Sequence, residues 1–113
     1  MKERDAWEGR KDVLLEIMGS AKVKWLGQLK EHFPGNERIR VEVREFRCGE
    51  RISLDVYVRM GGARVVGIEA RKDGRYGLKT SGDFNNVEYV RLLLRVVPDT
   101  LDTIARIQSG SAD

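Results

Sequence analysis

A chain of 113 residues, with 21 lysines and arginines against 18 acids, fits one domain. Its single cysteine, Cys48, and single histidine, His32, exclude an intramolecular disulfide and leave too few ligands for a Cys/His metal site. There is no signal-peptide pattern and no apolar run of about 18 residues, so a soluble, intracellular protein with no membrane segment is expected.

Residues 3–18 read as a helix, with Trp7, Val13, Leu14, Ile17 and Met18 as its apolar stripe and "GS" at 19–20 as a stop. Residues 21–33 read as a second helix carrying Leu26, Leu29 and Phe33 and ended by "PG". "KVKWLGQL" within it also suits a short strand. The period then changes to two. Ile39, Val41 and Val43 alternate with Arg38, Arg40, Glu42 and Arg44. "CGE" turns the chain into a second strand over 51–60, where Ile52, Leu54, Val56 and Val58 share one side. "GG" at 61–62 and "DG" at 73–74 are hairpin signals that bound a third strand over 63–71 and a fourth over 75–80.

Between Val43 and Phe46 the apolar phase slips, so either a bulge lies there or Phe46 joins the polar side. From 84 to 108 the chain reads as one long helix, kinked or restarted at Pro98. Val87, Val90, Leu94, Val97, Leu101 and Ile104 recur at alternating intervals of three and four, the spacing of a coiled-coil seam. That seam is the expected homodimer contact, with packing inside one chain as the alternative. Tyr89, Leu92, Leu93 and Val96 form a second stripe.

The fold expected is α+β: an N-terminal helical segment (1–35), a four-stranded antiparallel meander (37–80) and the C-terminal helix (84–108). Together they form one domain over 1–108, followed by a disordered tail at 109–113.

Strand alternation places Arg38, Arg40, Arg44, Arg51, Arg59, Arg71, Arg75 and Lys79 on the outer side of the sheet, against Glu42, Asp55 and Glu69. Arg47 and Lys72 sit in flanking turns. Arginine outnumbers lysine 14 to 7, which suits forked phosphate recognition. Phe46 and Tyr57 fall on this basic side. Cations neutralise phosphates and rings stack on unpaired bases, so the pattern suits single-stranded nucleic acid; duplex DNA hides its base faces. The bland alternative is a solvated face held by cross-strand ion pairs.

Other motifs carry less. "MGGARVVG" precedes no helix and so places no phosphate on a helix N-terminus. A helix-turn-helix over 11–33 would put Trp25 and Leu26 where base-reading polar residues belong. No acid–base pair is recognisable, so no enzymatic activity and no cofactor or metal is expected.

"VREFRCGERISLDV" resembles the core hairpin of the positive cofactor four family of transcriptional coactivators. "KDGRYGL" at 72–78 is similar to its segment before the C-terminal helix. The resemblance implies single-stranded DNA binding through Arg44, Phe46, Arg47 and Arg51, and through Lys72 and Arg75. Tyr57 and Tyr76 stand where that family tends to carry basic residues. The order of helix, four strands and zipper-like helix also looks like ThermoDBP-type archaeal single-stranded-DNA-binding proteins. Both likenesses imply a homodimer. The expected function is single-stranded DNA binding with little sequence preference. Arg40, Arg44, Arg51, Arg59, Arg75 and Lys79 would meet phosphates, and Phe46, Tyr57 and, less directly, Trp25 would stack on bases. RNA binding and a protein-interaction module are the alternatives.

Overall fold

The computed structural model describes residues 6–35, 37–57, 66–80 and 87–110, with the backbone alone for 87–90. Helix α1 (Ala6–His32) is followed by strands β1 (Arg40–Phe46), β2 (Arg51–Tyr57), β3 (Val66–Arg71) and β4 (Tyr76–Thr80), and then by helix α2 (Val87–Gln108). The strands form one antiparallel sheet in chain order. α1 packs on β1 and β2, α2 packs on β3 and β4, and the helices pack on each other. The α+β architecture is therefore as the alternation and helical periods indicated.

The first departure lies in α1. Two helices were expected, yet one runs unbroken through Gly19–Ser20. Leu14, Met18, Ala21, Trp25 and Leu29 are all buried and share one face across that junction. Continuous packing of this stripe outweighs the local cost of glycine and serine inside a helix. The same packing rules out a strand at "KVKWLGQL". Trp25 is a core residue, sealed from solvent, and its Nε1 finds no acceptor among the described residues. It is not a stacking platform. α1 stops at His32, one residue short of the position before Pro34, where helical geometry is disfavoured.

The one-to-one pairing from Arg40↔Tyr57 to Phe46↔Arg51 leaves no extra residue in β1. There is no bulge, and Phe46 belongs to the polar side. Its neighbour Glu45 therefore points to the helix side, where Lys11 of α1 meets it at 2.7 Å. At the 47–50 turn, Arg47 and Cys48 both hold positive φ (54° and 55°) without being glycine. That conformation costs roughly 1–2 kcal/mol per residue.

The 72–74 turn also differs from expectation. Only Gly74 has positive φ, and Arg71 N–H bonds the Arg75 carbonyl at 2.9 Å. The loop thus has three residues with glycine in the left-handed position, rather than a two-residue Asp-Gly turn. The expected turn at 61–62 lies outside the described residues, as do 58–60 and 63–65 of the expected strands and 84–86 of the expected helix.

α2 continues through Pro98 without restarting. The proline removes the bond to the carbonyl of Leu94, a residue on the exposed side of the helix (63% exposed). The helix ends in a turn that includes Ser109 and Gly110, with Gly110 at φ 72°. That turn takes in residues 109 and 110 of the expected tail; 111–113 lie outside the described residues.

Two hydrogen bonds join the start of α1 to the turn end of the sheet, and a third joins it to the last residue of α2. Trp7 Nε1 donates to the Gly49 carbonyl (2.9 Å). Arg10 donates to Gln108 Oε1 (3.2 Å) and to the Lys72 carbonyl (2.9 Å). Gln108, buried, donates in turn to the carbonyls of Arg71 and Arg75. The beginning of α1 therefore meets the end of α2, and the two helices run antiparallel over one face of the sheet. The other face is left to the polar residues.

Candidate nucleic-acid interface

Register arranges the outer face in rows. Arg40 lies beside Tyr57. Glu42, Asp55, Gly67 and Lys79 form the next row, then Arg44, Ser53, Glu69 and Gly77, then Phe46, Arg51 and Arg71. Five cations thus share this face with three carboxylates among the described residues.

The charges are organised around two glutamates. Glu42 accepts from Arg40 (3.1 Å) and Arg44 (2.8 Å), its neighbours two residues away on the same strand side. Glu69 draws in Arg71 (3.2 Å), Lys79 (3.2 Å) and Arg51 (3.8 Å) from three strands. The bond to Glu42 is the main cause that raises the Arg44 pKa above its already high ordinary value. Its charge is therefore fixed at any physiological pH.

The rings are covered by guanidinium groups. Arg51 lies over Phe46 at 4.4 Å, and Arg40 and Arg44 lie over Tyr57 at 4.8 and 5.4 Å. Such stacks are attractive, by about 0.5–2 kcal/mol depending on desolvation. Alternation suggested open rings, but Phe46 is half-buried and Tyr57 is only 9% exposed. Ser53 and Asp55 are buried as well, with Ser53 Oγ donating to Asp55 Oδ2 at 2.8 Å. Ser53, Asp55 and Tyr57 are thus closed to solvent, while Arg40 and Arg44 keep nearly half of their side-chain surface exposed. Arg51 Nε is buried and finds no acceptor among the described residues.

At the turn end, Arg47, Arg51, Arg71 and Lys72 line an open cleft of about 420 Å³ together with Glu50 and Asp73. Lys72 N–H donates to the Glu50 carbonyl at 2.8 Å, tying the two turns together. Arg75 stands apart, exposed and 3.6 Å from Asp73. Cys48 is exposed and free.

Of the expected contacts, Arg40, Arg44, Phe46, Arg51, Tyr57 and Lys79 therefore share one face, and Arg47 and Lys72 extend it at the turn. Arg59 lies outside the described residues. Arg71 was counted on this face from sequence but not assigned a contact; the structure makes it a ligand of Glu69 and part of the cleft. Arg10 also reaches this end, stacked over Trp7 at 5.3 Å. Nothing in the strand pattern could have placed it there.

The expected dimer seam does not form one free face. Val97 and Ile104 are buried in the chain's own core, and Leu101 packs against it. Leu94 alone among the described members points outward; the side chains of Val87 and Val90 are not described. Of the second stripe, Leu92, Leu93 and Val96 are buried too, and the side chain of Tyr89 is not described; apart from Leu94, the described members of both stripes are spent on the chain's own core.

Among the described residues no cluster of three His, Cys, Asp or Glu is placed to hold a metal ion, and no helix is long and apolar enough to cross a membrane. No protein-family model, no curated protein and no solved structure matches the chain.

Proposed function

We propose that the outer face of the sheet and its turn-end cleft bind single-stranded nucleic acid, DNA in preference to RNA, with little sequence preference. The observation that carries this reading is an excess of ordered cations over acceptors. Five cations converge on two glutamates beside two covered rings, and Arg51 Nε is left without an acceptor.

Phosphates would enter as additional acceptors for Arg40, Arg44 and Lys79, and for Arg47, Arg51 and Lys72 at the cleft. The glutamates hold these side chains in place beforehand, which lowers the ordering cost of binding. Bases would stack first on the guanidinium planes that cover Phe46 and Tyr57, a mode open to unpaired bases of any identity. Tyr57 would then act from beneath, as the support for Arg40 and Arg44, rather than as a bare platform.

A titration of labelled single-stranded oligonucleotide at several salt concentrations tests the reading. Affinity should fall with a log–log slope of roughly −0.7 per phosphate neutralised. Arg44→Ala should make the slope shallower by nearly one contact, whereas Phe46→Ala should lose affinity with little change in slope. Absence of binding at low salt would leave a solvated, salt-bridged face and end the proposal. Competition between matched DNA and RNA strands decides the preference, because only RNA presents a 2′-hydroxyl.

A further inference from the structure

We propose that the outward side of α1 is a homodimer interface, in which two copies pack α1 antiparallel about a two-fold axis beside Ser20. This inference stands independently of the nucleic-acid reading.

α1 buries one stripe and leaves another uncovered. The uncovered one is Gly9, Val13, Glu16, Ser20, Val23 and Gly27, recurring at alternating intervals of four and three, and all six are exposed. That is the period of a seam between two helices. Val13 is 46% exposed and Val23 72% exposed, although valine is a poor choice for a solvated helix surface. A side chain at Gly9 or Gly27 would meet nothing in this chain, so no internal contact requires glycine at either place.

Charge selects the partner. Glu16 and Lys24 lie four residues on either side of Ser20, and neither makes an ion pair among the described residues. In an antiparallel pair centred on Ser20, Glu16 of each copy meets Lys24 of the other. A parallel pair would instead set Glu16 against Glu16 and Lys24 against Lys24, which disfavours it. The same antiparallel register brings Val13 onto Gly27, where the missing side chain leaves room, and Val23 onto Ile17. Ser20 lies one residue from the midpoint of α1, so nearly the whole 27-residue helix overlaps, a length of about 40 Å.

A groove of about 530 Å³ between α1 and α2 runs beside this seam. Glu16, Asp99 and the chain's own Lys24 line it, and Lys24 of the second copy would enter at the Glu16 end. Because α1 covers the inner face of the sheet, such a dimer leaves both outer faces open and directed away from each other.

Sedimentation equilibrium, or light scattering after size exclusion, over about 1–100 μM decides the matter. The wild-type chain should dimerise. Glu16→Lys and Lys24→Glu each turn two attractions into two repulsions and should each weaken dimerisation by about tenfold or more. The double variant Glu16→Lys/Lys24→Glu should return to within about threefold of wild type. Within one chain the two residues stand about 12 Å apart along the helix, so rescue must come from across the interface. Circular dichroism should show all three variants folded, since both side chains are exposed.

A wild-type monomer across the whole range would overturn the proposal. So would single variants that stay dimeric, or a double variant as monomeric as the singles. A dimer dissociated by Leu94→Asp but not by Val23→Asp would move the interface to α2 and overturn it as well.

Discussion

The two sides of β2 are equally hidden and are hidden by different means. Ile52, Leu54 and Val56 point inward and are sealed by the helices. Ser53, Asp55 and Tyr57 point outward and are also buried, with Asp55 only 1% exposed. The inner cover is aliphatic packing, which is non-directional and has no substitute in solution. On the outer side, arginines lie against Glu42 and Glu69 and over the rings of Phe46 and Tyr57. Those contacts are ionic and cation–π interactions, which salt weakens and for which, under the proposed function, phosphate would compete. Burial alone therefore does not make a face an apolar core; the chemistry of the residues on it does.

The comparison can be broken from the inner side first. Leu54→Ala removes a fully buried side chain beneath both helices and should cost about 2–5 kcal/mol in urea or thermal unfolding. The surviving folded fraction should bind oligonucleotide as wild type does, because nothing on the outer face has changed. A parallel loss of affinity would show that the two sides are not separable.

A smaller and more discriminating effect comes from the outer side. Glu69→Gln frees Arg51, Arg71 and Lys79 from their shared carboxylate. Stability should fall by no more than about 1–2 kcal/mol. Oligonucleotide affinity at low salt should rise by about threefold, since removal of a competing anion outweighs the loss of pre-ordering that Glu69 gives these side chains. If the network were structural alone, affinity would not rise.

The smallest effect belongs to Lys11 at the edge between the sides. Its bond to Glu45 raises its pKa above the ordinary 10.5. The stabilisation is therefore complete below that ordinary value and is lost as pH rises through the raised one. Melting curves from about pH 9 to 12 should show wild type losing a small increment that Glu45→Gln lacks at every pH. Identical pH profiles for the two chains would show that the pair contributes nothing.

Much of this was legible in residue order. The period-two runs at 39–43 and 51–57 identified β1 and β2 and the direction of every side chain in them, including Phe46 once the bulge is excluded. The break at Gly19–Ser20 was misleading, because a helix is decided by the stripe it buries and not by one weak junction. Trp25 illustrates the same point: its aromatic character suggested stacking, while its place among Leu14, Met18, Ala21 and Leu29 made it core. The six-residue seam on α2 was real as a spacing, but spacing does not say what fills it. Val97 and Ile104 fill their own core.

By itself the sequence determined which residues alternate, which faces are apolar and where cations concentrate, because pleat and helical pitch are properties of neighbouring residues. Only the tertiary structure decided that Glu42 and Glu69 gather the cations, that guanidiniums lie over Phe46 and Tyr57, and that Val13 and Val23 of α1 stay exposed while Val97 and Ile104 of α2 are buried. Those outcomes depend on distances between residues far apart in the chain, and these exist only once the strands are in register and the helices have taken their places on the sheet.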